Sequence, residues 1–206
     1  MSSIPVFYIP FGVYYLESEY DYTELKKDKR FTEGHSEVIN NSGISHKYSH
    51  CTNILNDYPN LAKKILNLFH TYMREVGITT NFSLTTSWLV EVNKGDFIHT
   101  HKHKNCEFSG VLYYDDDYTD QAPLEFANPL FDLTSFHDTN ARYNGYTHDW
   151  QLPPEKNLIV FFPSYINHYG NRNTTDKPRR SLAFNLAPSG KYGAGDSTMD
   201  TRWLNS

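Results

Sequence analysis

The sequence predicts a mainly β protein, a double-stranded β-helix (jelly roll) with an N-terminal helical buttress. Three observations carry that expectation. One clear amphipathic helix, over 57–76, precedes the β-rich part of the chain. After Gly77, runs rich in β-branched and aromatic residues recur roughly every 10–20 residues, the spacing of a sandwich or barrel. Two of those runs deliver histidine at an end, His101 and His103 on one and His168 on the other. That is how a β-barrel builds a metal site at its mouth. An immunoglobulin-like sandwich suits the strand count but gives no reason for the histidines.

The 206 residues suit one domain, taken as 1–206, with 16 Tyr and 13 Phe to supply core bulk and line a pocket. A net charge of −5 without a basic stripe argues against a nucleic-acid footprint; KPRR at 177–180 is the densest basic run and is short for a phosphate-binding patch, with a solvated turn as the alternative. Cys51 and Cys106 are the two cysteines, with no CxxC, which fits a reducing cytoplasm. The opening residues do not read as a secretory leader, and no apolar run is long enough to span a membrane.

In chain order, 4–16 reads as a strand interrupted by Pro10 and Gly12. Residues 17–56 are polar and irregular, with His35, His46 and His50 as loop residues. In the helix, Asp57 is the expected cap and Pro59 lies in the first turn; Leu61, Ile65, Leu68, Tyr72 and Val76 form its apolar stripe, and Gly77 ends it in a left-handed conformation. His70 falls off the stripe, on the surface. Strands follow at 82–93, 97–103, 108–114, 124–129, 157–163 and 181–186. The acidic run at 115–123 lacks the Gly and distal Glu of a calcium loop and reads as a solvated strand end. Residues 131–150 form a long polar and aromatic connection, and the tail from Ser189 is Gly/Ser/Asp-rich.

The stretch GDFIHTHKHKNCEFSGVLYY, from Gly95 to Tyr114, packs His99, His101 and His103 into five residues. Side chains two apart on a strand share a face, so two of these imidazoles can hold one ion. A third ligand must come from elsewhere, and His168 in NLIVFFPSYINHYG is the candidate. His99 competes with His103 for the second position, and Cys106 is a soft donor nearby. The expected set is His101, His103 and His168.

Larger pieces of the sequence then resemble a known family. They are Gly95-x5-His101-x-His103, Ser109-Gly-Val-Leu-Tyr113, Leu158-Ile-Val-Phe-Phe-Pro163-Ser, His168 and Arg179-Arg-Ser181-Leu-Ala-Phe-Asn185. Over about 85–187 the chain resembles the 2-oxoglutarate/Fe(II) oxygenases found among phage and bacterial proteins, near the prolyl-hydroxylase-like branch. The resemblance implies Fe(II) and 2-oxoglutarate, with O₂ and a primary substrate as further reactants, in the cytoplasm of the producing cell or of a phage's host. It places His101 and His168 at the outer positions of a facial triad and His103 where a carboxylate usually sits. It implies that Arg179 pairs with the distal carboxylate of 2-oxoglutarate, with Ser181 and Tyr113 beside it, and guanidinium suits that partner because it matches carboxylate bidentately. The activity implied is oxygenation, most simply hydroxylation. The same His spacing with Glu107 also fits the first motif of cupin dioxygenases, which would make Glu107 a fourth ligand and leave Arg179 without a role. A non-enzymatic jelly roll, such as a carbohydrate-binding or virion protein, is the remaining alternative. In the 131–150 connection, Arg142 and Tyr146 are the expected contacts to the primary substrate.

Overall fold

The computed structural model describes residues 9–17, 20–28, 30, 35–36, 47–49, 52–130 and 148–202. Two antiparallel sheets face each other. The major sheet has the order β1 (Gly12–Tyr15), β9 (Leu158–Pro163), β6 (Phe108–Tyr113), β11 (Arg179–Pro188), β4 (Phe82–Val92), β3 (Lys47–Tyr48), β2 (His35–Ser36). The minor sheet has the order β5 (Ile98–His101), β10 (His168–Gly170), β7 (Leu124–Ala127), β8 (Asp149–Leu152). A two-residue pair, β12 (Lys191–Tyr192) with β13 (Met199–Asp200), lies in the tail.

Strand alternation divides the major sheet into two faces. On the outer face Leu89, Leu182, Leu112 and Ile159, with Phe161, Phe184 and Leu186, pack under the helix Pro59–Glu75. Phe69 of that helix lies at 5.1 Å from Phe82 and 5.3 Å from both Phe108 and Phe161, ring centre to ring centre. Burying these side chains contributes on the order of 1.5–3 kcal/mol each, so the helix is held by its packed face.

The inner face is set by register. Arg179 pairs with Val92; Ser181 lies between Val90 and Tyr113; Ala183 lies between Trp88 and Val111; Asn185 lies between Thr86 and Ser109. These side chains therefore form successive rows facing the minor sheet. Arg179 and Ser181 stand on one face, as their two-residue spacing requires.

Several expectations are corrected. The helix starts at Pro59, with Tyr58 at its N-cap and no side-chain cap; Asp57 closes a preceding 3-10 turn and pairs with Arg30 at 2.6 Å. Pro59 takes the first helical turn, where its missing N–H costs nothing. Gly77 has φ 80°, the left-handed stop expected. Phe69 and Met73 complete the buried stripe, whereas Leu68 and Val76 are half-buried. His70 is half-buried, with a shielded Nε2 that has no hydrogen-bond partner among the described residues. His35 belongs to a short strand paired with Lys47–Tyr48 rather than to a loop. The acidic turn is tied down by lysines: Asp116 pairs with Lys26 at 2.6 Å and Lys156 at 2.5 Å, and Asp117 pairs with Lys177. Two short strands, His168–Gly170 and Asp149–Leu152, carried no periodicity long enough to read. Cys51, His46, His50 and the expected substrate contacts Arg142 and Tyr146 lie outside the described residues.

Candidate metal and cosubstrate site

His101 ends β5, and the chain then leaves the sheet, so His103 belongs to the connection that follows. His168 opens β10 and pairs with His101 on one side and Phe126 on the other. This register sets two imidazoles side by side across neighbouring strands. His103 is brought in by backbone bonds: its N–H donates to the Ser164 carbonyl at 3.0 Å, and the Ser164 N–H donates to the Glu107 carbonyl at 2.9 Å.

The rings of His101 and His168 are 4.2 Å apart, those of His103 and His168 5.1 Å, and those of His101 and His103 5.3 Å. One ring nitrogen from each lies within 4.8 Å of the others. Three nitrogens bound at roughly 2.0–2.2 Å to one ion cannot be more than about 4.4 Å apart, so a small side-chain closure suffices.

Each Nδ1 is already engaged. His101 Nδ1 lies 2.7 Å from the His99 carbonyl, His168 Nδ1 lies 3.0 Å from the Ile166 carbonyl, and His103 Nδ1 lies 2.7 Å from Asn185 Oδ1. A carbonyl oxygen can only accept, so Nδ1 carries the proton and Nε2 presents the lone pair. His168 is buried, His103 half-buried and His101 exposed; loss of water around the rings is the largest effect in each case and holds all three imidazoles below the usual histidine range, His168 at about 3. Three neutral imidazoles with free Nε2 atoms fit a divalent transition metal.

The second part of the site is Arg179. It is 3% exposed, donates to the Ala122 carbonyl and has no acidic partner among the described residues. Burial lowers its pKa, since the charged form has lost water without gaining an anion. Tyr113 and Ser181, strand partners on the same inner face, are also buried. Neither hydroxyl has a hydrogen-bond partner among the described residues. Burial raises the Tyr113 phenol to about 12, and the Arg179 charge opposes that rise. A buried cation beside two unengaged hydroxyls is suited to an incoming carboxylate. Gly170 makes the space: a Cβ there would lie 2.5 Å from Arg179 Nη2.

Other residues raised by the sequence stand apart. His99 is absent from the converging group and packs on Phe97 at 4.6 Å. Glu107 is exposed and outside the group; the half-buried Cys106, whose thiol donates to Ser164 Oγ at 3.2 Å, is outside it too. The residue that sequence reasoning passed over is Asn185. It stood in the quoted RRSLAFN run, but only strand register places it against His103.

The comparisons with known proteins agree with this geometry. Residues 86–185 match the family described as "Putative 2OG-Fe(II) oxygenase". That segment carries the three histidines and Arg179, and over it the chain is similar to the 2OG-Fe(II) oxygenases. No curated protein matches by sequence. Among solved structures, the fold is similar to the alpha ketoglutarate dependent epimerase SnoN of nogalamycin biosynthesis, at TM-score 0.60 and 14% identity over 89% of this chain and 79% of that one. It is also similar to a 2OG-Fe(II) oxygenase family oxidoreductase from Burkholderia pseudomallei, at TM-score 0.56 and 13% identity over 85% and 84% of the two chains. A Pseudomonas putida prolyl-4-hydroxylase follows at TM-score 0.51 and 13% identity over 81% and 83%. Among the described residues no helix is long and apolar enough to cross a membrane.

Proposed function

We propose that the chain is an Fe(II)- and 2-oxoglutarate-dependent hydroxylase. His101, His103 and His168 hold the metal through Nε2, and Arg179, with Ser181 and Tyr113, holds the distal carboxylate of 2-oxoglutarate. The observation that carries this reading is the pairing of two features: three neutral imidazoles whose ring nitrogens converge, and a buried guanidinium without an anion among the described residues. A metal site alone would suit a cupin-like dioxygenase. The buried Arg179 favours a cosubstrate with a free carboxylate, and Glu107, which lies outside the converging group, gives a four-ligand cupin site no support.

When bound, the iron and 2-oxoglutarate supply oxidative decarboxylation to succinate and CO₂, coupled to oxidation of a primary substrate. The protein's residues provide the rest. The three histidines orient their lone pairs in advance, so little reorganisation is needed on binding. Arg179 fixes the cosubstrate by its far end, and in this proposal the Tyr113 and Ser181 hydroxyls donate to the same carboxylate. Trp88, Phe126 and Phe162 surround the histidines with apolar surface, Trp88 at 5.4 Å from His103 and Phe162 at 4.8 Å from His168. That wall shields the His103 and His168 side of the site, while His101 stands on its exposed side. Arg142 and Tyr146, in the 131–150 connection, bind the primary substrate in this reading, and residues 1–206 act as one domain.

SnoN is named as an epimerase and the Pseudomonas putida protein as a prolyl-4-hydroxylase. Hydroxylation is the reading taken here because it requires only a C–H bond held near the metal. The test is succinate release from 2-oxoglutarate by the full chain under air with Fe(II). Turnover above the rate of His101→Ala and His168→Ala controls is expected. Metal-dependent O₂ uptake without succinate would overturn the 2-oxoglutarate assignment.

A further inference from the structure

The three histidines are not held alike. His101 and His168 each use the carbonyl two residues back in the chain, at His99 and Ile166. Those acceptors belong to the backbone and come with the strand geometry. His103 lies beyond the end of β5, and its Nδ1 is met by side chains instead: Asn185 Oδ1 at 2.7 Å and Ser109 Oγ at 2.8 Å.

We propose that Asn185 is the positioning residue that fixes His103 in the tautomer presenting Nε2 to the metal, and so makes an imidazole serviceable as the third ligand. This rests on the metal reading given above. Asn185 Nδ2 donates to Thr86 Oγ1 at 2.9 Å, which leaves Oδ1 facing His103. The other hydrogen bonds run toward the same oxygen. Cys106 donates to Ser164 Oγ at 3.2 Å, Ser164 and Ser109 share a 2.8 Å contact, and Ser109 donates to Asn185 Oδ1 at 2.8 Å. The amide carbonyl is thus the common acceptor of a chain of donors, and a proton on Nδ1 of His103 completes it. With the amide reversed, Nδ2 would donate to Nδ1, the proton would move to Nε2, and the ligand lone pair would be lost. Strand register makes the arrangement possible, since Asn185 is flanked by Thr86 and Ser109 on the inner face.

The experiment uses the full chain and two readouts. The first is the tautomer of each histidine in the metal-free protein, from long-range ¹H–¹⁵N spectra, with His103 assigned through His103→Gln. The second is Mn(II) affinity from quenching of tryptophan fluorescence. In the wild type, His103 is expected as the Nδ1-protonated form. In Asn185→Ala it should become a mixture of tautomers, while His101 and His168 keep theirs, and Mn(II) affinity should fall roughly ten- to hundredfold. Asn185→Asp, which restores an acceptor, should recover wild-type affinity or exceed it. Should Asn185→Ala fail to fold, Thr86→Val loosens the same amide without touching His103 and should give a smaller shift in the same direction. An Nε2-protonated His103 in the wild type, or an unchanged tautomer and affinity in the variants, would overturn the proposal. Absence of any Mn(II) binding by the wild type would overturn the metal reading itself, and the tautomer comparison would still decide the part played by Asn185.

Discussion

Replacing Arg179 with methionine removes the charge and keeps a long apolar stem in the same slot. In the metal-free protein the guanidinium is 3% exposed and its one hydrogen bond among the described residues goes to the Ala122 carbonyl. That bond contributes about 1 kcal/mol. Against it stands the cost of burying an unpaired cation, which is at least as large. The melting temperature of metal-free Arg179→Met should therefore equal or exceed that of the wild type. Cosubstrate binding should respond in the opposite sense. Loss of a buried charge-paired contact costs about 2–5 kcal/mol, which is roughly a 30-fold to several-thousandfold rise in the 2-oxoglutarate requirement. Mn(II) affinity should stay within about threefold, because additivity holds for sites with no shared partners. The assay is succinate formation against 2-oxoglutarate concentration, with Mn(II) titration and thermal melts on the same preparations. An unchanged cosubstrate requirement, or a parallel loss of metal binding, would refute the reasoning.

Other outcomes follow from the same geometry. Gly170→Ala should reproduce the Arg179 phenotype, since the new methyl would meet the guanidinium at 2.5 Å; the 2-oxoglutarate requirement should rise with little change in Mn(II) affinity. The metal-free protein should lose stability as pH falls below 6.5, because His168 titrates at about 3 when folded and near 6.5 when unfolded. The unfolded chain binds the extra proton in that window, so stability is full above it, and His168→Phe should flatten the profile of melting temperature against pH. Alanine substitutions across 136–148, including Arg142 and Tyr146, should lower oxidation of the primary substrate once it is known. Uncoupled succinate release and Mn(II) binding should persist, and their joint loss with the melting temperature would assign the segment a structural role.

The sheet strands with long apolar runs were legible because each is a short continuous apolar stretch, the pattern of a strand buried on both faces. LIVFF and SLAFNL are the clearest cases. The histidine pair was legible by spacing, and His168 by its place after a strand ending in Pro163-Ser. The short strands around the site were not. His168–Gly170 has three residues, and its pairing with two neighbours is decided by tertiary contacts. The helix cap was misread because Asp57 is drawn away by Arg30, an ion pair 27 residues distant that local propensity cannot register. His99 was a competitor on paper because an ideal strand would align it with His101 and His103. The ladder between β5 and β10 is irregular, with His101 opposite His168 but Ile98 opposite Gly170, and His99 packs on Phe97 outside the converging group. The orienting role of Asn185 depends on register 82 residues away from His103 and has no local signature.

The most direct test is a crystal structure of the full chain grown without oxygen with Fe(II) and N-oxalylglycine, the unreactive analogue of 2-oxoglutarate. The account predicts one ion on the Nε2 atoms of His101, His103 and His168, at roughly 2.0–2.2 Å, and the analogue's distal carboxylate paired with the Arg179 guanidinium. An ion held by His99 or Glu107 in place of His103, or Arg179 left without a carboxylate in the occupied site, would contradict it.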